Sequence, residues 1–361
     1  MTTYVRVMSE YIVVTSDIFT KYRAPRPNYL DTPERIHTVL KLLKMYPPLV
    51  KRLLFLEPKP VDEAEVLRVH TQQYLNQIKR ALRSGSSWSL GEVYVSSELY
   101  EASLHVLGAG KLCADLVAEG KLRVGFVVAR PPSHRAGKSR AGRYCLFNAV
   151  AYTAKYLLDV HEFKKVAILD LDLHHGDGTQ EIFYDTSSVL FISIHEYSEF
   201  STFTSGWIDE LGRGDGEGFT INIPLPPGTA GDVYLHQLNT IVKPVLKQYK
   251  PEVLLVSMGF DTHLSDPSGD FLLSVSDYTQ IATFLRDVVD ESVERKCCIV
   301  FLEGGYNELA LARGLVNMVS VLTGGREFFR EERRSTSQVV RNFVKSTMRN
   351  LRKKLRNWWS L

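Results

Sequence analysis

The chain has 361 residues, 44% hydrophobic and 24% charged, which fits an ordinary globular protein of one large or two modest domains. The formal net charge of +3 hides an asymmetry: from Arg326 onward eleven Lys and Arg face three Glu, so the remainder is mildly acidic and shows no general bias toward nucleic acid. No apolar run approaches the roughly 20 residues needed to span a bilayer, and Cys113, Cys145, Cys297 and Cys298 have neither CxxC spacing nor a disulfide framework.

The opening stretch MTTYVRVMSEYIVV carries a charge inside its apolar run and no cleavage-like site, so no signal peptide is expected. Reduced, buried thiols and a cytoplasmic setting follow as expectations. Tyr11–Thr15 reads as the first strand, and Pro33–Lys44 as the first helix, its start marked by a capping residue before Pro33. Helical patterns follow over Gln72–Leu82 and Ser97–Ala118, then a strand over Val124–Val128 and a helix over Phe147–Leu158. Strands are predicted at Val166–Leu173, Val189–Ile194 and Phe219–Ile223, the last preceded by a Gly-rich loop, Gly206–Gly218. A helix over Asp232–Lys247, a strand over Val253–Met258, a helix over Ser276–Glu294 and a strand over Cys297–Leu302 complete the body.

Several of these strands are apolar on both alternating faces, which suits a parallel sheet covered on both sides. The alternation of strand and helix predicts an α/β fold in one domain, residues 1–325. Residues 326–361 form a basic helical extension, with Val340, Val344, Leu351, Leu355 and Trp358 at helical spacing between Lys and Arg. That amphipathic helix packs back on the body or meets a membrane surface, a nucleic acid or a partner protein.

Polar residues gather after the strands. Arg130-Pro131-Pro132-Ser133-His134 follows the strand from Val124, Asp172 and His174 end the one from Val166, and His195 follows Val189–Ile194. Asp261 follows Val253–Met258, and Glu303-Gly304-Gly305-Tyr306 follows Cys297–Leu302. In open parallel sheets, sites form beyond the carboxyl ends of the strands. Bare charges there are costly unless they are paired or hold a cation. Asp172 and His174 are two apart and face the same way on an extended chain. With Asp261 they make a three-ligand N/O set of the kind that holds a catalytic divalent ion, most readily Zn²⁺, with Fe²⁺ or Co²⁺ also suited. A buried polar network is the alternative for the same residues.

The stretches TPERIHTV, LRVHTQQYL, ARPPSHRAG, CLFNAVAY, ILDLDLHHGDGTQEIFY, ISIHEY, INIPLPPGT, VSMGFDTHLSDP and LEGGYN resemble the zinc-dependent histone deacetylase family, which includes acetylpolyamine amidohydrolases and acetoin-utilisation proteins. The resemblance runs from about Thr32 to Gly325 and implies an arginase/deacetylase-like αβα sandwich with a mostly parallel central sheet. It implies Asp172, His174 and Asp261 as zinc ligands, Tyr306 as the phenol that polarises the substrate carbonyl, and His134 backed by Asp170 as a proton-transfer pair. It further implies Tyr144 as a channel aromatic, and a monovalent cation such as K⁺ near the 170–174 backbone. Gly304 and Gly305 are expected to permit the turn that aims Tyr306 inward. His175 and His195 are expected to be hydrogen-bonded core histidines. The reaction implied is removal of acetyl or a related acyl group from an amine such as acetyl-lysine, an acetylpolyamine or a small metabolite.

The chain departs from the family pattern at His134-Arg135, where the family has His-His, and arginine cannot act as a base. Asp177 falls where the family supports that second histidine, so an Arg135–Asp177 ion pair is expected. Arg143 replaces a small glycine beside Tyr144. Three readings follow: His134 works as the sole proton-transfer group, Arg135 and Arg143 bind an anionic substrate, or the site binds metal and ligand without hydrolysis in a regulatory or scaffold role.

Overall fold

The computed structural model describes residues 10–83, 89–90, 93–198 and 205–361, so the first nine residues of the N-terminal stretch read above lie outside the described residues. Eight strands form one sheet: β1 (Tyr11–Val14), β2 (Leu54–Leu56), β3 (Val124–Val127), β4 (Val166–Asp170), β5 (Val189–Glu196), β6 (Thr220–Leu225), β7 (Val253–Met258) and β8 (Cys298–Leu302). Their spatial order is β2-β1-β3-β8-β7-β4-β5-β6, and every pairing is parallel. Successive residues point to opposite faces of a strand. Ala167 and Leu169 therefore enter one apolar layer and Val166 and Ile168 the other. Both layers are buried, which is why the strands read as continuous apolar runs.

On one face lie α1 (Glu34–Lys44), α5 (Val275–Ser292), α6 (Glu308–Leu322) and α7 (Gln338–Leu355); on the other lie α2 (Ser97–Ala118) and α3 (Ala149–Asp159). A short helix, α4 (Asp177–Phe183), follows the polar stretch after β4. Side-chain caps define several starts, with Ser96, Asn148, Asn307 and Ser337 each accepting a backbone N–H from three residues on. At α1 the expected capping residue makes no such bond; Pro33 itself occupies the cap position, and Asp31 is taken by buried arginines.

Other expectations are corrected in their boundaries. The strand from Val166 ends at Asp170, so Asp172 and His174 lie beyond it in irregular chain, and His195 lies inside β5. The helix expected over Asp232–Lys247 is broken by a π-helical turn at Leu238–Val242 just before Pro244, whose missing N–H cannot bond a carbonyl four residues back. The edge strand β2 and the helix α6 were not legible in the pattern. α6 is buried over most of its surface, packed beside α1 and α5.

The C-terminal segment lies against the body. Val344, Met348, Leu351 and Leu355 of α7 and Trp359 beyond it join the apolar layer, and the Trp359 indole donates to Gly218 O at 2.7 Å. Arg341 pairs with Asp232, Lys354 with Asp209, and Arg352 donates to Thr240 Oγ1 at 3.0 Å. Lys345, Arg349 and Lys353 face outward.

Candidate active site

The five strands that end in polar residues, β3, β8, β7, β4 and β5, are adjacent in the middle of the sheet. Register then dictates what meets. Asp170 lies beside Ser257 and Leu302 beside Met258, so the chain leaving β4 runs next to those leaving β7 and β8. Asp172, His174 and Asp261 converge there, with one potential ligand atom from each within 4.8 Å of the others. His174 Nδ1 lies 3.3 Å from Asp172 Oδ1 and 3.2 Å from Asp261 Oδ2.

The backbone fixes these carboxylates. Asp172 accepts N–H bonds from His174 at 2.9 Å and Gly304 at 2.7 Å, and Asp261 accepts one from Leu173 at 3.1 Å. A Cβ on Gly304 would lie 2.1 Å from Asp261 Oδ2, so only glycine lets the Tyr306 loop approach so closely. Both carboxylates are fully buried. Burial and the charge of Asp172 push Asp261 up to about 7. His174 is raised to about 9 because its bonds to the two carboxylates outweigh burial. This is a buried pocket with surplus negative charge and three N/O donors, and a divalent cation matches it in sign, donor type and size.

His134 lies alongside. Its Nδ1 is 2.9 Å from Asp170 Oδ2 and its Nε2 is 3.6 Å from Asp172 Oδ1. The two aspartates outweigh burial and raise His134 to about 10. Its loop is held by Asn148, whose amide donates to His134 O at 3.2 Å and Ala136 O at 3.0 Å, while Glu303 accepts from Ser133 Oγ at 2.8 Å and His134 N at 3.2 Å.

The Arg135 guanidinium turns to Asp177, with Nε 3.2 Å from Oδ1. Arg140 holds the other Asp177 oxygen at 2.7 Å and also Glu181 at 3.0 Å. Tyr306 packs edge-on to Tyr144 with ring centres 5.7 Å apart, and Tyr144 packs in turn on Tyr29 at 4.6 Å. Burial raises the Tyr306 phenol well above its ordinary range, so it stays protonated and able to donate. Arg143 lies over the Tyr144 ring and lines, with Arg26 and Tyr29, an outer cavity of about 360 Å³. Gly305 has φ +112°, a conformation glycine takes readily.

His175 and His195 sit apart from the converging ligands. His175 bonds Ser205 and Gln180, and His195 bonds Ser193 and Gly206 O. Burial drives both below their ordinary value. His263 pairs with Glu331 at 2.8 Å.

Sequence reasoning missed a buried ionic brace beneath the site. Asp31 pairs with Arg35 at 2.6 Å and Arg130 at 3.0 Å, all three inaccessible to solvent. Arg35 also donates to Gly305 O at 2.7 Å and lies 4.9 Å from the Tyr306 ring centre. The available signal was an arginine on the buried face of α1, beside Ile36 and Val39.

A family profile described as the histone deacetylase domain matches residues 29–322. "Histone deacetylase 18" of Arabidopsis thaliana is 30% identical over 344 residues, covering 91% of this chain and 49% of the relative. A "Probable deacetylase" of Archaeoglobus fulgidus is 34% identical over 278 residues, covering 76% of this chain and 75% of the relative. The crystal structure of the HDA15 HD domain superposes with a TM-score of 0.85 at 25% identity, over 98% of this chain and 96% of that one. The chain thus spans about half the length of the Arabidopsis relative and three quarters of the archaeal one. With its arginase/deacetylase-like sheet and the polar groups gathered at the strand ends, the chain belongs to the histone deacetylase family.

Proposed function

We propose that the chain is a metal-dependent amide hydrolase that removes acetyl or a related acyl group from an amine, such as acetyl-lysine or an acetylpolyamine. The observation that carries this reading is the convergence of Asp172, His174 and Asp261 in one buried pocket. These three side chains would hold the ion, with Zn²⁺ favoured by the donor set. A divalent ion there supplies Lewis acidity toward the amide carbonyl and the attacking water.

The remaining work falls to the chain's own residues. Tyr306, kept protonated, donates to the carbonyl oxygen as negative charge develops on it, which is worth a few kcal/mol for a preorganised donor. Asp170 orients His134 through Nδ1; a cation held by Asp172, His174 and Asp261 would offset the carboxylate charge that keeps this imidazole protonated, freeing Nε2 to take a proton from water and return one to the departing amine. Tyr144 and Tyr29 form an aromatic wall outside Tyr306 that excludes water. Arg135 is engaged by Asp177, which supports His134 as the sole proton-transfer group over recognition of an anionic substrate by Arg135.

The test is metal content and turnover together. Purified protein is expected to hold stoichiometric zinc and to cleave acetyl-lysine or acetylpolyamine amides, with both properties lost in Asp261→Ala. Protein without metal, or activity surviving Asp261→Ala, refutes the reading. The Arg135–Asp177 pair also keeps a second reading in play, a member that binds metal and ligand without turnover. An inactive wild type that gains activity on Arg135→His would establish that alternative.

A further inference from the structure

The aim of Tyr306 depends on a carboxylate from another loop. Asp266 lies five residues past Asp261, after β7, and is nearly fully buried. Its Oδ2 accepts the backbone N–H of Tyr306 at 2.6 Å and of Asn307 at 2.9 Å. Its Oδ1 accepts from Ser268 N at 3.1 Å and Ser268 Oγ at 2.6 Å. The N–H of Asp266 itself donates to His263 O at 2.9 Å. Four donors thus point at this side chain, two on each oxygen.

The other contacts of this loop leave the Tyr306 N–H itself to Asp266. On the N-terminal side of Tyr306 is Gly305, a residue with little intrinsic backbone preference. On the C-terminal side is Asn307, whose side chain caps α6 by accepting from Ala310 N at 3.1 Å and donates to Ser265 Oγ at 2.9 Å and Ser265 O at 3.2 Å, a second tie between the two loops one residue beyond Tyr306. Arg35 holds the carbonyls of Glu303 and Gly305 and lies over the Tyr306 ring, but it bonds neither N–H of the turn. The two N–H groups that define the Tyr306 turn are both held by Asp266.

We propose that Asp266 is a positioning residue for Tyr306: it ties the loop carrying Asp261 to the loop carrying Tyr306 and so sets the phenol over the candidate metal pocket. The proposal rests on the reading of Tyr306 as the donor to the substrate carbonyl. Asparagine keeps one oxygen for the Tyr306–Asn307 pair, so Asp266→Asn retains most of the clamp, whereas Asp266→Ala removes it.

The experiment combines kinetics of the zinc-loaded enzyme on an acetyl-lysine amide with crystal structures of the variants. Asp266→Ala is expected to keep its zinc and to lose roughly 10- to 100-fold in kcat, the effect of misplacing a group by about 1 Å. KM should stay within about twofold, because the lost interaction belongs to the transition state. Asp266→Asn should restore most of the rate. In a Tyr306→Phe background Asp266→Ala should add little further loss, since the two act as a unit. Equal losses in both backgrounds, or loss of zinc from Asp266→Ala, overturn the proposal. The structures decide it independently of turnover: the Tyr306 hydroxyl should shift by about 1 Å or more in Asp266→Ala, and an unmoved hydroxyl overturns the clamp. Full activity in Tyr306→Phe strikes the role given to Tyr306 instead, and the clamp then stands or falls on the measured position of the hydroxyl.

Discussion

Asp31 shows how much a single side chain can hold. It neutralises two guanidiniums that have no access to solvent. Replacing it by alanine leaves buried positive charge uncompensated, for which the usual cost is about 3–5 kcal/mol. Asp31→Ala is therefore expected to shift the denaturation midpoint strongly and to loosen the Tyr306 loop through Arg35; an unchanged midpoint would show that the brace is not structural. At Arg135, substitution by histidine adds a second base beside His134 and leaves Asp177 to orient it. The expected outcome is a rise in kcat toward the roughly 10²-fold that a positioned base contributes, measured on the zinc-loaded enzyme. A third case is His70, which is held neutral: Nδ1–H donates to Gly137 O at 2.8 Å, Nε2 accepts from Asn148 N at 3.0 Å, and burial lowers it from 6.5 to about 4. Between pH 6.5 and 4 the unfolded chain carries a proton at this residue that the folded chain refuses. Stability therefore falls as pH drops through that window, by up to about 1.4 kcal/mol per pH unit for this one group. Urea midpoints measured from pH 7 to 4.5 should show a shallower pH slope in His70→Gln than in wild type.

Among the elements, α7 has two unlike faces. Its inner face completes an apolar layer of the body, and Trp359 beyond it packs edge-on to Phe219 and Tyr249 with ring centres 5.6 and 6.3 Å away. Truncation after Gly325 uncovers this surface. The expected result is a lower melting temperature and poorer solubility, and Trp359→Ala alone should cost about 3–5 kcal/mol as a buried aromatic deletion. A truncated chain that melts like the full one would mean the helix is dispensable to the fold and would turn attention to its outward Lys345, Arg349 and Lys353. α6 illustrates a different limit. Its 15 residues, packed beside α1 and α5, were not picked out from the sequence, whereas the 22 residues of α2, with a cap at Ser96, were legible from end to end.

At the scale of the whole molecule, the candidate pocket links metal, fold and charge. Two buried carboxylates face each other across His174, so stripping a bound ion from this pocket should destabilise the entire domain. Chelation is expected to lower the melting temperature, and added zinc to restore it in a concentration-dependent way, as linkage requires; about 100-fold excess over Kd corresponds to roughly 2.7 kcal/mol. No response to either would argue against a metal in this pocket. The fold class and the clustering of polar groups were legible because they are local: a strand buried on both faces must be apolar throughout, and a charged run directly after it stands out. The order β3-β8-β7-β4-β5 was not, since it depends on which crossover lands beside which strand. That order brings Asp172 to Asp261 across 88 intervening positions and sets Asp266 beneath Tyr306. The brace of Asp31, Arg35 and Arg130 escaped for the same cause: Asp31 and Arg35 look like ordinary surface charge, and Arg130 like one more polar group after a strand, until the sheet and α1 close over them. Periodicity and capping are properties of a few turns of chain and can be read one residue after another. Ion pairing, ligand convergence and the aim of a phenol are properties of distance between segments, and distance exists once the chain has folded.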